Sequence, residues 1–252
     1  MRRLVVVVLV AALALMSAPA TAVAAPSARA GCSSPRFVTS DTDGMWSNRG
    51  YVVHNNMWNV SGYDVSETLS ACSYRDWSVR VTADDNRGDG AVKTYPNVHK
   101  DFHDWSTGAE PLLRSFRGIR TRFAATTPRV GIYNAAYDIW LDGVPGDHEV
   151  MIWTDNFRQV PAGSRIATVR LSGRTWRVYA TRDNSYIAFV PRQRLTHGSL
   201  RLKQMLTWLV GRGRLERDVT LGQICFGFEV VSTGGAPATF SVSDFSVTTT
   251  RR

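Results

Sequence analysis

The chain has 252 residues, with 30 basic and 21 acidic side chains and a formal charge of +9. Three cysteines with no CxxC pair, and five dispersed histidines, exclude a structural zinc site as an organising element, and no cofactor or metal is expected. The basic residues are scattered rather than clustered, which argues against nucleic acid as a partner and for generic surface charge.

Arg2 and Arg3 precede an apolar run, residues 4–16, too short for a stable membrane span. Small residues follow, with signal-type cleavage sites after Ala25 or Ala30. Residues 1–30 therefore read as an export signal, and the product is expected to be secreted and extracellular, with no membrane association after cleavage. Without Arg2, Arg3 and Arg29, 27 basic residues face 21 acidic ones. Residues 31–252 contain no linker, repeat or low-complexity tract, so one domain is expected. An oxidising destination favours a disulfide between Cys32 and Cys72, which flank the first predicted hairpin, and leaves Cys225 free.

In chain order, short alternating or apolar runs punctuated by Gly, Pro, Asn and Asp predict strands over 51–56, 78–83, 120–125, 133–141 and 149–154. Further runs predict strands over 165–171, 174–181, 186–190, 222–231 and 239–248, with hairpin turns at Ser172-Gly173 and Asp183-Asn184. The pattern is that of an all-β sandwich. Residues 200–210 break it: Leu202, Met205, Leu206, Leu209 and Val210 recur at helical spacing, and Gly211 and Gly213 supply a stop. One helix packed on the outside of a sheet is expected.

Two strands carry carboxylates worth singling out. In Asp147-His148-Glu149-Val150-Met151-Ile152-Trp153, strand parity puts Glu149, Met151 and Trp153 on one face and Val150 and Ile152 on the other, core-facing one. A carboxylate beside a thioether and an indole suits a concave, partly apolar groove. In Gln223-Ile224-Cys225-Phe226-Gly227-Phe228-Glu229-Val230, the core row is Ile224, Phe226, Phe228 and Val230, and the opposite row is Cys225, Gly227 and Glu229. Gly227 is expected to leave room for a ligand above the sheet. Sugar rings stack their C–H faces on aromatic side chains, so Trp58, and Trp140 on the same face as Asp138, become candidates where Asn or Asp accompanies them.

Five segments in order resemble glycoside hydrolase family 12: Asn55-Asn56-Met57-Trp58, Lys93-Thr94-Tyr95-Pro96-Asn97, Tyr137-Asp138-Ile139-Trp140-Leu141-Asp142, Glu149-Val150-Met151-Ile152-Trp153 and Gly227-Phe228-Glu229. The resemblance runs from about Tyr51 to the C-terminus. It implies a β-jelly-roll sandwich of two curved antiparallel sheets with one packed helix and an open cleft on the concave sheet. It further implies that Glu149 is a nucleophile and Glu229 a general acid/base, with Asp138 hydrogen-bonding near Glu149. Trp58 would be a sugar platform at a glycone subsite, with Asn56 nearby, and Met151 and Trp153 would line the cleft.

The activity implied is that of a retaining endo-β-1,4-glucanase acting as a monomer on a β-glucan polysaccharide: cellulose, mixed-linkage glucan or xyloglucan. A xylanase on the related jelly-roll and a non-catalytic carbohydrate-binding protein are the competing readings. Val230 and Val231 depart from the family pattern, which has Pro or Ile and then an aromatic after the acid/base, and Asn59 replaces the usual Gly after the Trp. Asn59-Val60-Ser61 also fits an N-glycosylation acceptor.

Overall fold

The computed structural model describes residues 32–251; the expected signal segment, residues 1–30, lies outside them. In chain order the strands begin with β1 (Phe37–Thr39), β2 (Met45–Asn48), β3 (Tyr51–His54), β4 (Val65–Ser73), β5 (Asp76–Ala83) and β6 (Asn97–Asp101). They continue with β7 (Phe116–Thr126), β8 (Ile132–Gly143), β9 (Gly146–Phe157), β10 (Ser164–Leu171), β11 (Arg174–Ala180), β12 (Tyr186–Pro191) and β13 (His197–Leu200). Helix α1 (Leu202–Gly211) precedes β14 (Gln223–Ser232) and β15 (Ala238–Arg251).

These strands form two sheets, a six-stranded one ordered β1-β4-β5-β15-β7-β13 and a nine-stranded one ordered β10-β11-β12-β9-β8-β14-β6-β3-β2. The architecture is the expected β-jelly-roll sandwich. Its strand pairs are antiparallel except for β12 with β9, which run parallel. The predicted Ser172-Gly173 turn has both residues at positive φ, 50° and 77°, as the tight β10–β11 hairpin requires.

The alternation read from the sequence decides which side of each strand meets the core. Val150 and Ile152 of β9 and Ile224, Phe226, Phe228 and Val230 of β14 are fully buried against the six-stranded sheet. Aromatic rings lock the two layers: Trp77 meets Phe228 at 5.7 Å between centroids, and Phe123 meets Phe226 at 5.2 Å. Each such ring contributes about 1.5–3 kcal/mol through burial.

The expected helix is present. Leu202, Met205, Leu206 and Leu209 are buried in the core shared by both sheets, and Trp208 meets Phe189 of the nine-stranded sheet. Its apolar stripe faces the core, as helical spacing requires. The helix ends at Gly211, and Gly213, at φ 64°, carries the left-handed turn beyond it.

The Cys32–Cys72 disulfide is present and ties the N-terminal segment to β4, closing a separation of 40 residues. Cys225 is free and buried.

Candidate active site

The faces opposite the core build one cleft, of about 1180 Å³, on the nine-stranded sheet. That exceeds the roughly 300–1,000 Å³ of small-molecule pockets. Asn56, Trp58, Asp138, Trp140, Glu149, Tyr186 and Glu229 are among the side chains lining it. Glu149 and Glu229 are partly accessible, Asp138 is buried on the floor, and Trp58 stands 61 % exposed at the rim.

Cross-strand register explains how these residues meet. On β9, β8 and β14, Glu149 pairs with Trp140 and Trp140 with Gln223, whereas Glu229 pairs with Asn134. Gln223 and Glu229 are six residues apart, roughly 20 Å along a flat strand. Yet Glu149, Asp138, Tyr95, Tyr186 and Glu229 all line one cleft. The sheet is therefore curled so that its two ends face each other across the cleft. Bulges help to bend it, one between β8 and β9 at Ala135/Ala136 and one on β14 between Val230 and Ser232.

Burial is the first cause of every carboxyl shift at the site. Asp138 is held well above the usual carboxylate range by burial and then by the Glu149 and Glu229 charges. Glu149 is raised to about 8 by burial and by Glu229. Glu229 is raised to about 7 by burial, opposed by two amides: Asn134 Nδ2 donates to its Oε2, and Gln159 Nε2 donates to the same oxygen at 3.1 Å. The Glu229 charge adds to the burial that raises Glu149, whereas the two amide donors oppose the rise of Glu229. Two carboxyls that share about one proton near neutral pH can supply one acid and one base.

Several expectations need amending. Met151 and Trp153 lie on the cleft face of β9 but are only 1 % exposed. They form a small buried cluster with Ala136, Ala188 and Val190, packed against Tyr179 and Tyr186, so they support the floor without lining the cleft. Tyr186 covers them because β12 runs parallel to β9 with Tyr186 opposite Glu149.

Gly227 does not leave space for a ligand. A Cβ there would stand 2.1 Å from Pro96 O and 2.7 Å from Asn97 Cβ, so the missing side chain admits β6 and the turn before it. Asp138 feels the Glu149 charge without a hydrogen bond to it, Trp140 is its side-chain hydrogen-bond partner, and its Oδ1 has none. Cys225 points to the cleft side as expected; its thiol donates to Gln223 Oε1 at 2.9 Å, and burial raises its pKa well above the ordinary range. Val230 and Val231, which follow the acid, are both buried.

Asn56 and Trp58 reach the rim on a loop pinned by backbone bonds, with Tyr95 N donating to Asn56 O at 2.9 Å and Asn59 N to Lys93 O at 3.1 Å. Asn56 sits at φ 45°, a left-handed conformation that Asn tolerates better than most side chains. Tyr95 lies beneath the acids and donates to Ala136 O at 3.0 Å. Asn134, Gln159 and Tyr186 were not singled out from sequence. Asn134 shares the parity of Asp138 on β8 and could have been, whereas a loop residue and a partner across a parallel pairing leave no local signal.

A groove long enough for a chain, with paired acids and an exposed indole, is the equipment of an enzyme that cuts glycosidic bonds. The family model described as glycosyl hydrolase family 12 matches residues 49–250, and the chain belongs to that family as a cellulase-like glycoside hydrolase. A xyloglucan-specific endo-beta-1,4-glucanase A from Emericella nidulans is 28 % identical over 229 residues, covering 82 % of this chain and 90 % of the relative. The solved structure of an endoglucanase from Rhodothermus marinus is 26 % identical, with a TM-score of 0.74 over 86 % of this chain and 100 % of that one. The same fold recurs, at 22 % identity and a TM-score of 0.71, in a xyloglucanase domain of a type three effector from Sinorhizobium fredii in complex with cellobiose; 86 % of this chain and 100 % of that one are covered.

Proposed function

We propose that the protein is a secreted, monomeric, retaining endo-β-1,4-glucanase that cleaves internal bonds of cellulose, mixed-linkage glucan or xyloglucan. The observation that carries this reading is that Glu149 and Glu229 line one cleft, where the Glu229 charge adds to the burial that raises Glu149. The xyloglucan-specific relative and the cellobiose-bound neighbour support a β-glucan ligand.

In the first step the Glu149 carboxylate attacks the anomeric carbon while the bond to the leaving oxygen breaks and Glu229 gives that oxygen its proton. A glycosyl ester on Glu149 results. Glu229, now a carboxylate, then takes a proton from water as the water oxygen bonds to the anomeric carbon and the ester bond breaks, which restores the β configuration. Asp138, kept neutral by burial and its acidic neighbours, spares the site a third negative charge. A glycosidic oxygen seated beside Glu229 offers an acceptor for its proton, which favours the protonated form of Glu229 once substrate binds.

The amides on Glu229 favour a second reading in which the two roles are exchanged. Azide separates them. Glu149→Ala with an activated aryl cellobioside should yield the α-glycosyl azide, and Glu229→Ala the β-product; the opposite pattern establishes the exchange. Reducing ends should appear from carboxymethyl-cellulose or xyloglucan. Release from xylan alone makes the protein a xylanase, and release from none of the three leaves a carbohydrate-binding protein.

A further inference from the structure

We propose that Trp105 is a second aromatic sugar platform, which holds a distal pyranose ring of the bound glucan opposite Trp58. The inference rests on the glucan-cleaving reading and extends it to a subsite on the other rim of the cleft.

Of the eight tryptophans, only Trp58 and Trp105 are exposed, at 61 % and 64 %, and both line the same cleft. Strand direction sets them on opposite rims. Trp58 follows the C-terminal end of β3 and Trp105 that of β6, and these strands are antiparallel neighbours with His54 opposite Asn97. Asp101, at the far end of β6, lies four residues beyond Asn97, roughly 13 Å along the strand. The Trp105 loop thus rises on the Glu149 side and the Trp58 loop on the Glu229 side. It leaves β6, two strands or roughly 10 Å from β8, over which the carboxyls converge, so the subsite lies beyond the sugar that reacts.

The loop is built to hold the indole in water. Trp105 Nε1 donates to Asp101 Oδ2 at 3.4 Å, and its ring meets the edge of His103 at 4.8 Å between centroids. His103 Nδ1 is fixed on Glu110 Oε1 at 2.7 Å, and Glu110 Oε2 accepts from Thr220 Oγ1 at 2.5 Å and from the Gly143 amide at 3.2 Å. Asp104 closes the turn by accepting from Ser106 N and Thr107 N. Folding alone favours covering an indole. A network that props one open instead pre-organises a contact surface, which reduces the ordering cost of binding. Between the two rims the floor offers polar groups to sugar hydroxyls: His54, His99 and Asp101.

The test compares Trp105→Ala with wild type on cellohexaose and on an aryl β-cellobioside, with circular dichroism to check folding. The loss in kcat/KM on cellohexaose should exceed that on the cellobioside by about tenfold, the size of a single aromatic contact, and should lie mainly in KM. Trp105→Phe should recover part of it. Equal losses on the two substrates, or no loss on either, overturn the subsite. Cellohexaose binding followed by tryptophan fluorescence separates this result from the catalytic reading. If wild type binds but cleaves nothing, and Trp105→Ala binds about tenfold more weakly, the subsite stands while the hydrolase reading falls.

Discussion

Replacing Gln159 by Leu removes one of the two amides that face the Glu229 carboxylate. A hydrogen bond to a charged group is worth about 1.5–3 kcal/mol, and a partly exposed partner belongs at the low end, so the loss corresponds to about one pKa unit at 1.36 kcal/mol per unit. The donor stabilises the ionised form, and its removal therefore raises the Glu229 pKa above about 7. Asn134 remains in place and limits the shift. The structural cost is small because Gln159 Oε1 is already buried without a partner, and the Asn156 contact is made to the Gln159 backbone carbonyl. The assay is kcat/KM for an aryl β-cellobioside from about pH 5 to about pH 9, which reports the free-enzyme ionisations as a bell-shaped profile. In wild type the limbs should fall near 7 and 8, where the pair titrates. In Gln159→Leu the alkaline limb, where Glu229 loses the proton it must donate, should move up by about one unit or less, and Gln159→Glu should push it further in the same direction. An alkaline limb that stays in place, or moves to lower pH, shows that amide donation does not set this ionisation.

Glu67 of β4 is buried, accepts from Thr94 Oγ1 at 3.0 Å and has its pKa raised to about 8 from 4.5. The folded state then binds the extra proton, so this contribution to stability is complete below about pH 4.5 and is lost as pH rises towards 8. The slope is at most about 1.4 kcal/mol per pH unit. Urea unfolding at pH 5 and pH 8 should show that Glu67→Gln removes this decline; an unchanged slope would count against a buried, protonated Glu67. Gly227→Ala drives a methyl into the Pro96-Asn97 backbone and should cost about 1–3 kcal/mol by the same denaturation assay. Wild-type stability in that variant would mean that β6 is not held as close to β14 as described.

Strand parity was enough to sort Glu149 from Val150 and Ile152, and Glu229 from Phe228 and Val230, because side chains alternate and an apolar row must find the core. Parity could also have found Asn134. The Cys32–Cys72 pairing, the helix and the Ser172-Gly173 turn were legible too, each from a local constraint on chain geometry. Helical spacing identified the buried stripe of α1 but not Phe189, the distant ring that Trp208 meets. Parity likewise put Met151 and Trp153 on the cleft face but could not show Tyr186 lying over them, since the parallel β12–β9 contact joins segments distant in sequence. Gly227 read as an opening because its neighbour across the strand was unknown.

The sequence by itself determined which carboxylates turn away from the core. Only the tertiary structure decided that they meet. On a flat sheet the register would hold Glu149 and Glu229 roughly 20 Å apart along the strands. The curl of the nine-stranded sheet, assisted by its bulges, brings them to one cleft with Asp138, where burial raises all three carboxyls. Curvature is a sum over many strands, and no single segment encodes it.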